Sequence, residues 1–153
     1  MACPTRAIRR YGGLPAANDG GTAIEFAVVA SALLMLMFAA LEIGRAFWDY
    51  EIIEEVATEG ARCAGLRAVS CASGGSFSSS ATQSFVTALA ASRGLTVPAS
   101  SVKPSCNVAC NGNSSMSKVQ ISYTFHTVVS QILPALNGHT FTATACFPDS
   151  PTS

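Results

Sequence analysis

The sequence is poor in charge. Asp, Glu, Lys and Arg make up 12% of its 153 residues, and nine basic side chains balance nine acidic ones, for a formal net charge of zero. Without a basic excess there is no field to gather phosphates, so nucleic acid is excluded as a default partner. Histidine is almost missing, with two residues, and both His126 and His139 are expected at the surface. Cys106 and Cys110 are separated by three residues rather than two, and no His follows at zinc-finger spacing, so no metal site is expected. No Ser, His and Asp arrangement stands out, and Gly74-Gly75 lies in a Ser-rich stretch without the strand and Lys of a phosphate loop. Glu51, Glu54, Glu55 and Glu59 read as a solvated helix face, and the adjacent pair Glu54 and Glu55 point in different directions. The chain is therefore not expected to be an enzyme, and no cofactor is implied.

What the sequence has instead is apolar residues, 49% of the total, with a mean hydropathy of +0.37. That excludes a disordered charged tail. The excess is concentrated between Phe26 and Leu41, FAVVASALLMLMFAAL, where no charge occurs. Counted from Gly21, the segment reaches about the 20 residues that a helix needs to cross the hydrocarbon core. Glu25 interrupts it, and a carboxylate within a membrane costs about 2.5–3.5 kcal/mol at the centre and less near an end, so such residues are rare unless functional. Arg6, Arg9 and Arg10 precede the segment, whereas Glu42, Asp49, Glu51, Glu54, Glu55 and Glu59 follow it. The arginines are expected to stay in the cytoplasm, which places the chain beyond about residue 45 in the periplasm. An ordinary secretory signal fits less well, because Ala30-Ser31-Ala32 falls too early in the apolar run for a cleavage site.

Past Leu41 the pattern becomes one-sided. Ile43, Ala46, Phe47, Tyr50, Ile53, Ala57, Ala61 and Ala64 recur at spacings of three and four, which predicts one helix from Gly21 to Ala64, its membrane half about 22–44. Glu42 with Arg45, Arg45 with Asp49 and Glu59 with Arg62 are spaced for local ion pairs. Cys71 to Ser79 reads as a flexible loop. Ser80 with Gln83 reads as a capping box that opens a second helix, Ala81 to Arg93, closed by Gly94. Alternation then switches to period two over Val119 to Val129 and again over Phe141 to Phe147, which predicts antiparallel strands. A weaker strand between Leu95 and Val108 is limited to an edge by Pro98 and Pro104, and Asn137-Gly138 marks a turn. The expected fold is α+β: a long N-terminal transmembrane and amphipathic helix, a short second helix and a small antiparallel sheet. Cys3 lies in the leader, leaving Cys63, Cys71, Cys106, Cys110 and Cys146 as disulfide candidates in the exported part. Five is odd; the pairing stays open, and one thiol is left over for an intermolecular bond or a free buried site.

The residues around Glu25 carry the functional signal. A basic leader ends in Gly20, then come Gly21, Thr22, Ala23, Ile24, Glu25, Phe26 and the unbroken apolar run. This resembles the processing site of type IV pilin-like proteins. The resemblance implies cleavage by a prepilin peptidase between Gly20 and Gly21, leaving Glu25 as the fifth residue of the mature chain with Phe26 beside it. It also implies that Glu25 pairs with the new N-terminal ammonium of a neighbouring subunit. The longer stretch Gly21 to Ala64, with "AIEFA" at its start, "EIGRAFW" at Glu42 to Trp48 and "EGARCA" at Glu59 to Ala64, resembles the TadE-like family of minor pilins, or pseudopilins, of tight-adherence Flp-type pili. Ser31 stands where members usually carry Pro, so no proline kink is expected.

The resemblance implies three segments: residues 1–20 a leader removed on processing, 21–64 the TadE-like helix, and 65–153 a periplasmic α+β head like those of other pilins. It implies a single-pass inner-membrane protein with a cytoplasmic N-terminus that also enters the extracellular pilus. Its partners would be the prepilin peptidase, the Flp major pilin, other minor pilins, the inner-membrane assembly platform and the lipid bilayer. The function implied is pilus biogenesis, adhesion and biofilm formation. The alternative is a permanently anchored periplasmic binding module that never joins a pilus.

Overall fold

A computed structural model of the chain describes residues 19–128, 130, 131 and 134–150. Most of the expected leader, with Cys3, Arg6, Arg9 and Arg10, lies outside the described residues, as does Val129 at the end of the longest predicted strand. The fold is α+β, with a long N-terminal apolar helix, a short second helix and small antiparallel sheets. Helix α1, Asp19–Gly65, is continuous through Ser31, whose hydroxyl donates to the Val28 carbonyl at 2.8 Å. A serine at this place leaves the backbone ladder intact, where proline would remove a bond. The chain divides into two units, one ending at Leu36 and one beginning at Met37. In the first, Ile24, Phe26, Val28, Val29, Leu33 and Leu34 are all exposed.

In the second unit α1 is one-sided, as its sequence period requires, but the buried stripe is shifted from the expected one. Ala46, Ile53, Ala57, Ala61 and Ala64 are buried and are joined by Ile52 and Val56. Ile43 and Phe47 are exposed, and Glu42 is buried in their stead. A stripe read from apolarity alone has no place for a buried acid such as Glu42.

After α1 come a two-residue hairpin, β1 (Ala72–Ser73) with β2 (Ser76–Phe77), and helix α2 (Ser79–Ser92). The stretch expected to be a flexible loop is therefore paired. Gly74 and Gly75 both take positive φ, 58° and 80°, the conformation that a two-residue hairpin turn demands and glycine supplies without strain. The α2 cap is also displaced from the expected Ser80. Ser78 has extended backbone and its hydroxyl accepts from the Ala81 amide at 3.3 Å, while Gln83 donates its side-chain amide to the Val102 carbonyl at 2.9 Å. Gln83 thus ties α2 to the sheet and makes no capping box. At the other end Gly94, φ 84°, lets the Leu95 amide reach the Ala90 carbonyl, as the Arg93-Gly94 signal predicts.

The main sheet has three antiparallel strands in the order β3 (Val102–Cys110), β4 (Asn113–Thr124), β5 (Thr140–Pro148). Strand β3 is an edge strand, as its prolines require, but it starts at Val102. Leu95 and Val97, expected in that strand, are buried in the segment ahead of it. Asn111-Gly112 forms a second positive-φ turn between β3 and β4. Val119 and Ile121 on β4 face the core and sit in register with Ala145 and Ala143 on β5. They meet Val56, Ala57 and Ala61 of α1, with Val86 and Ala90 of α2, in one apolar cluster.

The closest approach to α1 is at Gly60, where a β-carbon would lie 2.6 Å from Val86 Cγ2 and 3.6 Å from Val119 Cγ1. Gly65 is similarly crowded by Phe147 and the Pro148 carbonyl, each at 2.7 Å from such an atom. Gly44, also in α1, would meet nothing within 4 Å. Gly60→Ala is accordingly expected to destabilise the head by about 1–3 kcal/mol through overpacking. Gly44→Ala is expected to stabilise the helix by about 0.5–1 kcal/mol. Urea unfolding of both variants in detergent, followed by near-ultraviolet circular dichroism, checks the opposite signs.

Candidate functional site

The residues singled out from the sequence fall into separate places. Gly20, Gly21, Glu25 and Phe26 all lie in the first turns of α1. Gly21 has open space around it, Glu25 is exposed and Phe26 is exposed. The four-residue spacing puts Glu25 one turn along from Gly21 on the same face, with Phe26 rotated by about 100°. Two consecutive glycines, each about 1 kcal/mol poorer than alanine in a helix, make this first turn easy to unwind.

The cysteines resolve into two pairs and one thiol. Cys63 at the end of α1 bonds Cys71, Cα–Cα 5.8 Å, and Cys110 at the end of β3 bonds Cys146 on β5, Cα–Cα 6.5 Å. Cys106 is free and exposed, so the left-over thiol is not a buried one. The first bond closes the turn between α1 and the small hairpin, and the second crosses β4. Beside them Asp149 accepts from the Asn107 amide at 2.8 Å and from the buried Ser117 hydroxyl. It thereby holds the irregular register of β3 between Ser105 and Val108. Among the described residues no three His, Cys, Asp or Glu side chains gather in a group that could hold a metal.

A polar cluster that the sequence did not reveal lies where α1 meets the segment following β4. Glu42, 6% exposed, accepts from Thr127 Oγ1 at 2.6 Å and from Arg45 Nη1 at 3.2 Å. Arg45 donates its other terminal nitrogen to the His126 carbonyl at 2.7 Å and lies 5.0 Å from the Phe125 ring centroid. Asp49, one turn further, accepts from the Tyr123 hydroxyl at 3.4 Å. The predicted Glu42–Arg45 pair forms, but the Arg45 guanidinium hydrogen-bonds the strand end rather than Asp49. The spacing of Glu42, Arg45 and Asp49 at i, i+3 and i+7 puts all three on the face that meets β4. That spacing was the signal available; its partners Phe125, His126 and Thr127 lie more than 70 residues away in sequence and left no local trace. Burial raises the Asp49 carboxyl above its ordinary value of 3.8, and the Arg45 charge and the Tyr123 hydroxyl offset part of the rise. Tyr123 is likewise raised from 10.0, by burial and by the Asp49 charge.

In comparison with known proteins, residues 20–62 match the family model of TadE-like protein. The match begins at the glycine pair, spans the polar residues Glu42, Arg45 and Asp49, and stops short of the first disulfide. Neither the curated proteins nor the solved structures gave a match.

Peptide mapping under non-reducing conditions is expected to return Cys63–Cys71 and Cys110–Cys146 as linked peptides, with Cys106 open to alkylation. Chain-entropy arguments assign a loss of about 2.6 kcal/mol to removing the first bond and about 4 kcal/mol to removing the second. A second expectation concerns pH. The folded chain holds the Asp49 proton more tightly than the unfolded chain, which titrates near 3.8, so stability falls as pH rises from there through the folded value. Asp49→Asn is expected to stabilise the head near neutrality and to change little in acid below 3.8, a difference that paired denaturation curves measure.

Proposed function

We propose that this chain, TadE-like over residues 20–62, is a minor pilin of a tight-adherence pilus, a structural and assembly protein rather than an enzyme. The observation that carries the reading is the order of features along one helix. Gly20-Gly21 and Glu25-Phe26 open it, residues long and apolar enough to cross a membrane follow, and its last turns form a wall of the head core. Prepilin peptidase would cut after Gly20, where the paired glycines let the backbone extend into a cleft. The ammonium created at Gly21 and the Glu25 carboxylate then lie on one helix face. Pairing between neighbouring subunits would offset the cost of the carboxylate in lipid.

In this reading the N-terminus stays in the cytoplasm and the head lies in the periplasm, an oxidising compartment in which the two disulfides persist. Association with the Flp major pilin, other minor pilins and the assembly platform would come from van der Waals packing of Ala-, Ser- and Leu-rich helices. Pilus biogenesis, and through it adhesion and biofilm formation, follow from incorporation.

The test is the mass of the chain in membranes with and without the peptidase. The expected mature chain starts at Gly21, Gly20→Leu leaves the full 15.7 kDa form, and Glu25→Ala is cut but abolishes piliation. A chain that keeps Met1 in the presence of the peptidase overturns the processing step. Normal piliation with Glu25→Ala would favour a permanently anchored binding module instead.

A further inference from the structure

Between α1 and the β4–β5 connection runs an apolar groove of about 270 Å³, lined by Ile43, Ala46, Phe47, Tyr50, Leu136 and Phe141. Phe47 is 66% exposed and Ile43 43%, while Val128 on the same connection is 79% exposed. The charges that begin at Glu42 do not reach this side of the helix. Glu42, Arg45 and Asp49 are hydrogen-bonded to Thr127, the His126 carbonyl and Tyr123, Glu42 buried and the Arg45 side chain 44% exposed, and none of the three lines the groove. After Glu25, the first charge on α1 outside that cluster is Glu51. That cluster aside, the sequence carries no charge from Phe26 to Tyr50, which as helix amounts to about 37 Å at 1.5 Å per residue. This exceeds the roughly 30 Å hydrocarbon core by about the depth of one headgroup layer. Ala40, Ile43, Phe47 and Tyr50 recur at spacings of three and four as one apolar stripe. Phe47, Trp48 and Tyr50 gather aromatic rings at that level, the residue class favoured where acyl chains meet headgroups.

We infer that the groove is a phospholipid site. The head would be seated in the bilayer interface, with an acyl chain of the adjoining leaflet lying between Phe47 and Leu136, so that the membrane fixes the head as well as the anchor. The inference rests on the membrane-anchored reading above and adds to it a second contact, made by the head. The polar cluster serves it directly: by drawing Glu42 and Arg45 against the strand end, it leaves the groove lining without a charge.

The sequence has one tryptophan, Trp48, which makes the test direct. In a Trp48→Phe background, a single tryptophan is placed at Phe47, at Leu136, or at Val29 within the apolar run. The full chains are reconstituted at low density in phosphatidylcholine vesicles with or without brominated acyl chains. Disulfide mapping of each variant verifies the fold. Quenching at Phe47→Trp and Leu136→Trp comparable with that at Val29→Trp is the expected result. Quenching at Val29→Trp with water-like, unquenched emission at Leu136→Trp overturns the inference and leaves the anchor intact. Absence of quenching at Val29→Trp overturns both. Quenching at Leu136→Trp that is lost as protein density rises, with self-crosslinking at Phe47, would assign the groove to the helix of a second copy and also overturn it.

Discussion

A β-carbon at position 60 would lie 2.6 Å from Val86 Cγ2, and the packing of the head depends on the absence of that atom. Gly60 lets α1 approach α2 and β4 closely enough for Ala57 and Ala61, themselves short, to fill the remaining space beside Val119 and Ile121. Close-packed interiors tolerate neither a gap nor an overlap of a methyl group, so one residue type at one position sets the interlayer distance. Gly65 repeats the device at the helix end, where the backbone of Pro148 crosses it and the Ser150 amide bonds its carbonyl at 2.9 Å. The "EGARCA" block thus combines a close approach at Gly60, small core residues at Ala61 and Ala64, and a disulfide from Cys63.

The same helix passes from an apolar run to a one-sided stretch, and its first charges after the run are bonded to the head. Glu42, Arg45 and Asp49 spend their hydrogen bonds on β4 and the segment after it, in a partly desolvated site where each acid has a partner. Removing both Arg45 and Thr127 would leave the buried Glu42 carboxylate without compensation, which is a larger cost than the pair itself gains. The cluster ties the end of β4 to the helix at the level where the apolar run ends, while Tyr50, Phe125 and Phe141 pack edge to face beside it at centroid distances of 5.8 and 6.2 Å. Polar and aromatic contacts together anchor the segment that leaves β4.

Much of this was legible beforehand, and the misses share a cause. The limits of α1, the edge position of β3, the alternation of β4 and β5 and the Gly94 helix end all follow from local period and local backbone chemistry. The misassigned features each depended on contacts that local period does not encode. Ser78, not Ser80, caps α2, because Gln83 is engaged by the Val102 carbonyl and no longer favours a capping box. Gly74-Gly75 closes a hairpin rather than a loose loop, because the Ser78 amide is bonded to the Cys71 carbonyl at 3.1 Å and holds its ends together. Ile43 and Phe47 are exposed and Glu42 buried because Thr127 and Arg45 compensate the acid, which no apolar stripe can anticipate.

The sequence by itself determined that one helix begins at the glycine pair, stays apolar long enough to cross a bilayer and then turns one-sided, since those properties reside in the order and spacing of neighbouring residues. It determined equally the candidate processing residues Gly20 and Gly21, with Glu25 and Phe26 after them. Only the tertiary structure decided which cysteines pair, which thiol is left over and which face of α1 the head occupies. Pairing and burial are set by which distant residues come within a few ångströms, and a chain with five cysteines after its apolar run is compatible with many such arrangements until α1, α2 and the sheet are packed.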